Sequence, residues 1–194
     1  MANPPEAWRL FVALELPDSV REAIAAVQQQ LRERGLGRLR WVRPQGIHLT
    51  LKFLGNVATG RLLDLSRALQ GAAAGQGALS LSTAGAGIFD ERRPRVLWLG
   101  LAGDLDRLKS LQARVDEALL PLGFHLEGRP FAPHLTLARV PPAQASALKD
   151  AIRQALADTN VPEETFLSTE VSLMRSVLTR EGALYNRLEA FPLT

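Results

Sequence analysis

The chain has 194 residues, of which 46% are hydrophobic and 22% charged, with a formal net charge of +3; this composition excludes a disordered chain, a collagen-like repeat and a pure coiled coil. There is no cysteine, which removes disulfides, thiolate nucleophiles, cysteine-ligated zinc and iron–sulfur clusters together and is compatible with a reducing compartment. The start, Met1-Ala-Asn-Pro-Pro-Glu, has no basic region leading into an apolar stretch, so no secretory signal is expected.

In chain order, Arg9 to Leu16 is apolar and rich in strand formers, and Pro17-Asp18-Ser19 supplies a turn and a helix start. Val20, Ile24, Val27 and Leu31 recur at helical spacing until Gly35. Ile47 to Leu54 alternates as a strand, Leu62, Leu65 and Leu69 mark a second helix, and a further strand is expected near Leu79 to Phe89. The uncharged stretch from Ala68 to Phe89 has a length of 22 residues, enough to raise the question of a membrane span. Its five glycines argue instead for a glycine-rich loop running into a strand.

The same order then repeats. Arg95 to Leu101 reads as a strand, Leu105, Leu108, Leu111, Val115 and Leu119 as a helix ended by Pro121 to Gly123, Phe131 to Val140 as a strand, and Leu148, Ile152 and Leu156 as a helix. Two strands, near Phe166 to Leu178 and Ala183 to Pro192, close the chain. From Asp18 to His48 is 30 positions, and from Asp104 to His134 is again 30. Both histidines open the tetrapeptide His-Leu-Thr-Leu. For a given histidine, Leu-Thr-Leu follows by chance at a frequency on the order of 10⁻³, so its presence after two of three histidines marks an internal duplication.

Strand alternation puts His48, Thr50 and Lys52 on one face and Leu49, Leu51 and Phe53 on the other, with His134 and Thr136 sharing a face in the second copy. Each half then offers an imidazole and a hydroxyl away from its leucine core. Paired imidazoles suit a reaction that removes one proton and delivers another near neutral pH. Phosphodiester cleavage has that demand, and threonine hydroxyls can hold the non-bridging oxygens. Arg139 would add a cationic fork, but alternation sets it opposite His134 unless the strand ends or bulges there. Twenty of the 23 basic residues are arginine, a side chain suited to bidentate phosphate binding or, equally, a usage bias of the source. Arg40, Arg43 and Arg129 lie near the motifs and are taken as surface residues by default. Trp41 and Phe131 are candidates for stacking on a base, and His125, without comparable context, is expected in a non-catalytic strand or loop.

The two His-Leu-Thr-Leu motifs, RLFVALELPD at 9–18, RVLWLG at 95–100, FAPHLTLAR at 131–139 and the SVLTREGALYNRLEAFPL end together resemble the two-histidine phosphoesterase superfamily. Within it they resemble the bacterial and archaeal RNA 2′,3′-cyclic phosphodiesterases, also called 2′-5′ RNA ligases. The resemblance implies a bilobal α+β fold: two pseudo-twofold lobes, each an antiparallel sheet with helices, the site in the groove between them. One bilobal domain would then span residues 1–194, with an internal repeat of about 8–93 and 94–194. It also implies His48 as proton donor, His134 as proton acceptor, and Thr50, Thr136 and Arg139 as phosphate binders. The expected enzyme is a cytoplasmic monomer needing no metal or other cofactor, with no membrane association. It opens the 2′,3′-cyclic phosphate of RNA ends to a 2′-phosphate and is capable of ATP-independent 2′-5′ ligation. A cyclic phosphodiesterase of small nucleotides and a non-catalytic RNA-end-binding module are the alternatives.

Overall fold

The computed structural model describes residues 6–179 and 182–194. Nine strands join in one curled antiparallel sheet in the order β7-β4-β5-β6-β3-β1-β8-β9, with β2 added beside β6. They are β1 (Ala7–Leu14), β2 (Arg40–Trp41), β3 (Leu49–Ala58), β4 (Leu79–Phe89), β5 (Val96–Gly103), β6 (Leu135–Arg139), β7 (Thr165–Ser168), β8 (Glu170–Thr179) and β9 (Gly182–Pro192). Four helices pack on it: α1 (Asp18–Leu31), α2 (Leu62–Ala73), α3 (Leu105–Leu119) and α4 (Ala145–Ala157). The sheet is symmetric about its middle: β3, β1, β8 and β9 run outward one way, and β6, β5, β4 and β7 the other. This is the expected two-lobed α+β architecture.

The lobes are not the two halves of the chain. β4, from the first half, pairs with β5 and β7, and β8, from the second, pairs with β1. The helices cross over too. Gln28 of α1, fully buried, donates to the carbonyls of Val42 and Leu137 at 2.8 and 3.0 Å, under the β6 lobe. In the reverse direction Lys52 of β3 meets Asp116 of α3 at 2.6 Å and donates to the His125 carbonyl. Each half thus reaches into the other lobe, and a single apolar core, from Leu10 and Val12 through Ile24, Leu65 and Leu108 to Ile152, runs under both.

Several boundaries differ from the sequence expectation. The Phe131–Val140 strand shrinks to β6, because residues 131–134 approach as coil. The final segment yields three strands, since the chain leaves extended pairing at Thr169 between β7 and β8. Two-residue β2 carries too little periodicity to be seen in advance. The uncharged stretch is divided between the end of α2 and β4, and among the described residues no helix is long and apolar enough to cross a membrane. Arg180 and Glu181 of the C-terminal motif lie outside the described residues.

The shared face expected of His48, Thr50 and Lys52 is overturned at Lys52. Val12 pairs with Lys52 and Ala13 with Thr50, leaving Leu51 unmatched, a bulge that turns both Leu51 and Lys52 toward the helices. Phe53 correspondingly swings out to the opposite face and is 57% exposed. With Lys52 buried, its ion pair is a buried one. Removing one partner strands a charge and costs about 3–5 kcal/mol, whereas replacing both with apolar groups is close to neutral. Lys52→Ala is therefore expected to lower the urea-unfolding free energy by that amount, and the double variant Lys52→Met with Asp116→Leu to recover most of it; equal instability of the two would show that the charge pair itself holds the fold.

Candidate active site

The two lobes meet where Leu49 of β3 pairs antiparallel with Leu135 of β6. Carrying that register one residue either way sets His48 across from Thr136 and Thr50 across from His134. Directly opposed antiparallel residues stand about 5 Å apart on one face, so the leucines face the core and two imidazoles and two hydroxyls converge on the other side. This register sets the four residues on one face where the two lobes join.

Each ring is oriented by its own chain. Nδ1 of His48 donates to the Gly46 carbonyl at 3.0 Å, and Nδ1 of His134 to the Ala132 carbonyl at 2.8 Å. A carbonyl only accepts, so Nδ1 carries the proton in both rings and Nε2 is left for chemistry: a base when the ring is neutral, an acid when it is charged. The two-residue spacing from carbonyl to ring is the same in both copies. Neither threonine hydroxyl is engaged by another described residue.

The walls differ. His48 stacks on Phe11 at 4.5 Å between ring centroids and meets the edge of Tyr185 at 4.9 Å. Phe11, Ala13 and Met174, with Tyr185 against them, form a small second core on the groove face. That burial lowers the His48 pKa from 6.5 to about 4, against the opposing pulls of the Gly46 carbonyl and the Glu15 charge. His134 instead meets the edge of Phe89 at 4.8 Å, and Phe89 leans on Trp98 at 5.7 Å. Trp98 lies flat over Gly87, where any β-carbon would collide with the indole, which accounts for one glycine of the uncharged stretch.

Arg139 reaches the groove by the bulge its placement required. Leu97 pairs with Ala138 and Trp98 with Thr136, so Leu137 is unmatched, Leu137 and Ala138 both turn inward, and Arg139 emerges exposed on the face of Thr136. This bulge is the counterpart of the one at Leu51, and the residue in the equivalent place on β3 is Phe53. Of the other candidates, Trp41 lines a cavity together with Arg139 and Tyr185. His125 is a loop residue whose carbonyl receives Lys52. Trp41 is covered by the Arg32 guanidinium at 4.7 Å and donates from its indole to the Leu36 carbonyl. Phe131 packs on the core, and Arg129 is exposed in the loop before β6. Alternation hid two groove aromatics: Phe53, turned outward by the bulge, and Tyr185, brought over His48 by the curl of β8 and β9. Among the described residues no three His, Asp or Glu side chains gather in a way that would hold a metal ion.

Fold and groove are those of a phosphoesterase built by duplication. A family model described as LigT like Phosphoesterase matches the chain twice, at residues 14–98 and 99–185. The chain belongs to the LigT-like phosphoesterase family, within the two-histidine superfamily. It is similar to the RNA 2′,3′-cyclic phosphodiesterase of Methanothermobacter thermautotrophicus, 33% identical over 187 residues that cover 95% of this chain and 98% of that one. Its likeness to the protein of the same name from Geobacillus stearothermophilus is 35% over 184 residues, 94% of this chain but 56% of the longer relative. Among solved structures, E. coli LigT complexed with 3′-AMP superimposes with a TM-score of 0.75 at 28% identity, covering 97% of this chain and 99% of that chain.

Because the folded state holds His48 below its unfolded value of 6.5, the unfolded chain binds the extra proton first as pH falls. The stability tied to a neutral His48 is present above 6.5 and drains away as pH drops toward about 4. In His48→Gln the loss of Tm between pH 7 and pH 4.5 is expected to be smaller than in the parent protein; equal losses would show that the ring is not held neutral by its walls.

Proposed function

We propose that this protein is a metal-independent hydrolase of RNA 2′,3′-cyclic phosphates, producing a 2′-phosphate and a free 3′-hydroxyl. The observation that carries the reading is the quartet at the Leu49–Leu135 pair, in which each imidazole has Nδ1 tied to the main chain and Nε2 free beside a hydroxyl. The names of the relatives, RNA 2′,3′-cyclic phosphodiesterases over nearly the whole chain, supply the substrate class. Cytoplasmic location and a monomeric state belong to the same proposal and rest on the family resemblance.

In the reaction, Nε2 of neutral His134 takes a proton from water as its oxygen bonds to phosphorus. The bond from phosphorus to the 3′-oxygen breaks, and Nε2 of protonated His48 delivers its proton to that oxygen. Thr50 and Thr136 donate to the non-bridging oxygens, and the Arg139 fork balances their charge. Proton exchange with solvent then resets both rings. With an RNA 5′-hydroxyl in place of water, the same transfers close a 2′-5′ linkage without ATP.

The low pKa of His48 shapes this cycle. With its pKa lowered to about 4 the ring is neutral at pH 7, so the donor takes up its proton as the anionic phosphate arrives and favours the charged ring. The pH profiles are expected to be bell-shaped, with the limb owed to the acid at higher pH in kcat than in kcat/KM, since the first reports the complex and the second the free enzyme. Coincident limbs would place the proton elsewhere.

The two roles separate with a substrate bearing sulfur at the bridging 3′ position, a leaving group that hardly needs protonation. General-acid catalysis contributes roughly 10²–10⁴-fold, so His48→Ala is expected to lose far less on the sulfur substrate than on the oxygen one, while His134→Ala stays impaired on both. Rescue of His134→Ala instead would exchange donor and acceptor. Turnover is expected to persist in excess chelator; loss on EDTA treatment with recovery on adding a divalent metal would overturn the metal-independent chemistry.

A further inference from the structure

Beside the quartet, between the β2–β6 edge of one lobe and the start of β9 in the other, lies a cavity of about 250 Å³. Its walls include Arg40, Arg43, Arg139, Gly46 and Tyr185, and no carboxylate among the described residues. It adjoins the reacting groups at three points: the Gly46 carbonyl orients His48, the Tyr185 ring edges His48, and Arg139 stands on the face of Thr136. The quartet itself does not line it.

Arg40 and Arg139 are directly opposed in the β2–β6 pair. Like charges in that relation repel and are destabilising. Neither guanidinium makes an ion pair or hydrogen bond to another described residue. Three other arginines show the contrast: Arg114 is tied to the carbonyls of Gly71, Ala72 and Ala74, Arg187 to Glu15 and Glu170, and Arg107 to Asp104 and the Gln76 carbonyl. Two neighbouring guanidinium forks lining one cavity, with no carboxylate beside them among the described residues, have the chemistry to bind an anion bidentately. The pseudo-twofold relation sharpens the point, because Phe53 occupies the place equivalent to Arg139. Among the described residues the place related to Arg139 is therefore apolar.

Resting on the hydrolase reading above, we propose that Arg40, with the outer edge of Arg139, binds the phosphate on the 5′ side of the terminal nucleoside, so that this groove reads two consecutive phosphates and selects RNA ends over cyclic mononucleotides. One phosphate is held at the quartet for reaction. The next, one nucleotide upstream, sits in the arginine-lined cavity and fixes the direction of the strand across the groove. Arg40 touches no reacting atom in this arrangement; it determines specificity.

The test compares kcat/KM for three substrates: adenosine 2′,3′-cyclic phosphate, the same nucleotide bearing a 5′-phosphate, and the dinucleotide ApA ending in a cyclic phosphate. The parent protein is expected to prefer the second and third over the first by about tenfold or more. Arg40→Ala is expected to abolish that preference while staying within about twofold of the parent on the first, and Arg40→Lys to keep part of it. The salt slope for the dinucleotide is expected to shrink by about 0.7 in log–log units, the value for one lost phosphate contact on a single strand. An equal loss on all three substrates, or none on any, overturns the subsite. Preference for the dinucleotide without preference for the 5′-phosphorylated mononucleotide overturns it too, since the gain would then come from the second nucleoside. Should the parent protein turn over none of them, the hydrolase reading fails by itself. The subsite is then judged by calorimetric titration of 2′-phosphorylated adenosine with and without a 5′-phosphate: tighter binding of the second that Arg40→Ala removes supports it, and equal binding refutes it.

Discussion

The structure turns on one strand pair. Leu49 against Leu135 is where the two lobes become a single sheet, and with core residues at that pair the neighbours on either side must face the groove. A slip of one residue would send the histidines inward and the leucines into water. What prevents it is the leucine face, backed on each side by a helix from the opposite half: Gln28 fastens α1 to the Leu137 carbonyl and Lys52 fastens β3 to α3. The chemistry depends on the register and the register on the core, so lobe stability and site geometry are one problem.

The paired bulges at Leu51 and Leu137 are the second device. Each drops one residue from the ladder just beyond the threonine and resets which side chains face the groove. Without them Arg139 would lie buried beneath the sheet and Lys52 would stand in the site. Because the bulges fall at matching places in both copies, the duplication preserved the backbone while the side chains diverged, arginine emerging on one side and phenylalanine on the other.

That divergence gives a near-symmetric site a direction. His48 is enclosed by Phe11 and Tyr185 and held neutral, whereas His134 is bordered by Phe89. Two chemically identical imidazoles in equivalent backbone settings thus have different walls, one stacked and enclosed, the other meeting a single ring edge. The cavity lined by Arg40 and Arg139 is closed on its other side by Gly46 and Tyr185, the residues that orient and enclose His48.

Much of this was legible in the sequence because it is local. The 3.6-residue spacing of Val20, Ile24, Val27 and Leu31, the 30-residue interval repeated from Asp18 and from Asp104, and the doubled His-Leu-Thr-Leu each encode an element or a face within a few turns of chain. The strand ends were less legible, since residues 131–134 have strand composition but no pairing partner. Three things belonged to tertiary structure alone. The exchange of β4 and β8 between lobes is a matter of which strands pair, and alternation says nothing of partners. The bulges arise where two strands of unequal local length must match, so neither strand announces them; Lys52, Phe53 and Arg139 all took their faces from that mismatch. The low pKa of His48 comes from burial, and part of the wall that encloses it is Tyr185, which is 137 positions away in the numbering and arrives only when the sheet curls. Sequence determined which groups are available and on which elements; packing decided which of them meet and in what state of charge, because burial and opposition are properties of the assembled sheet.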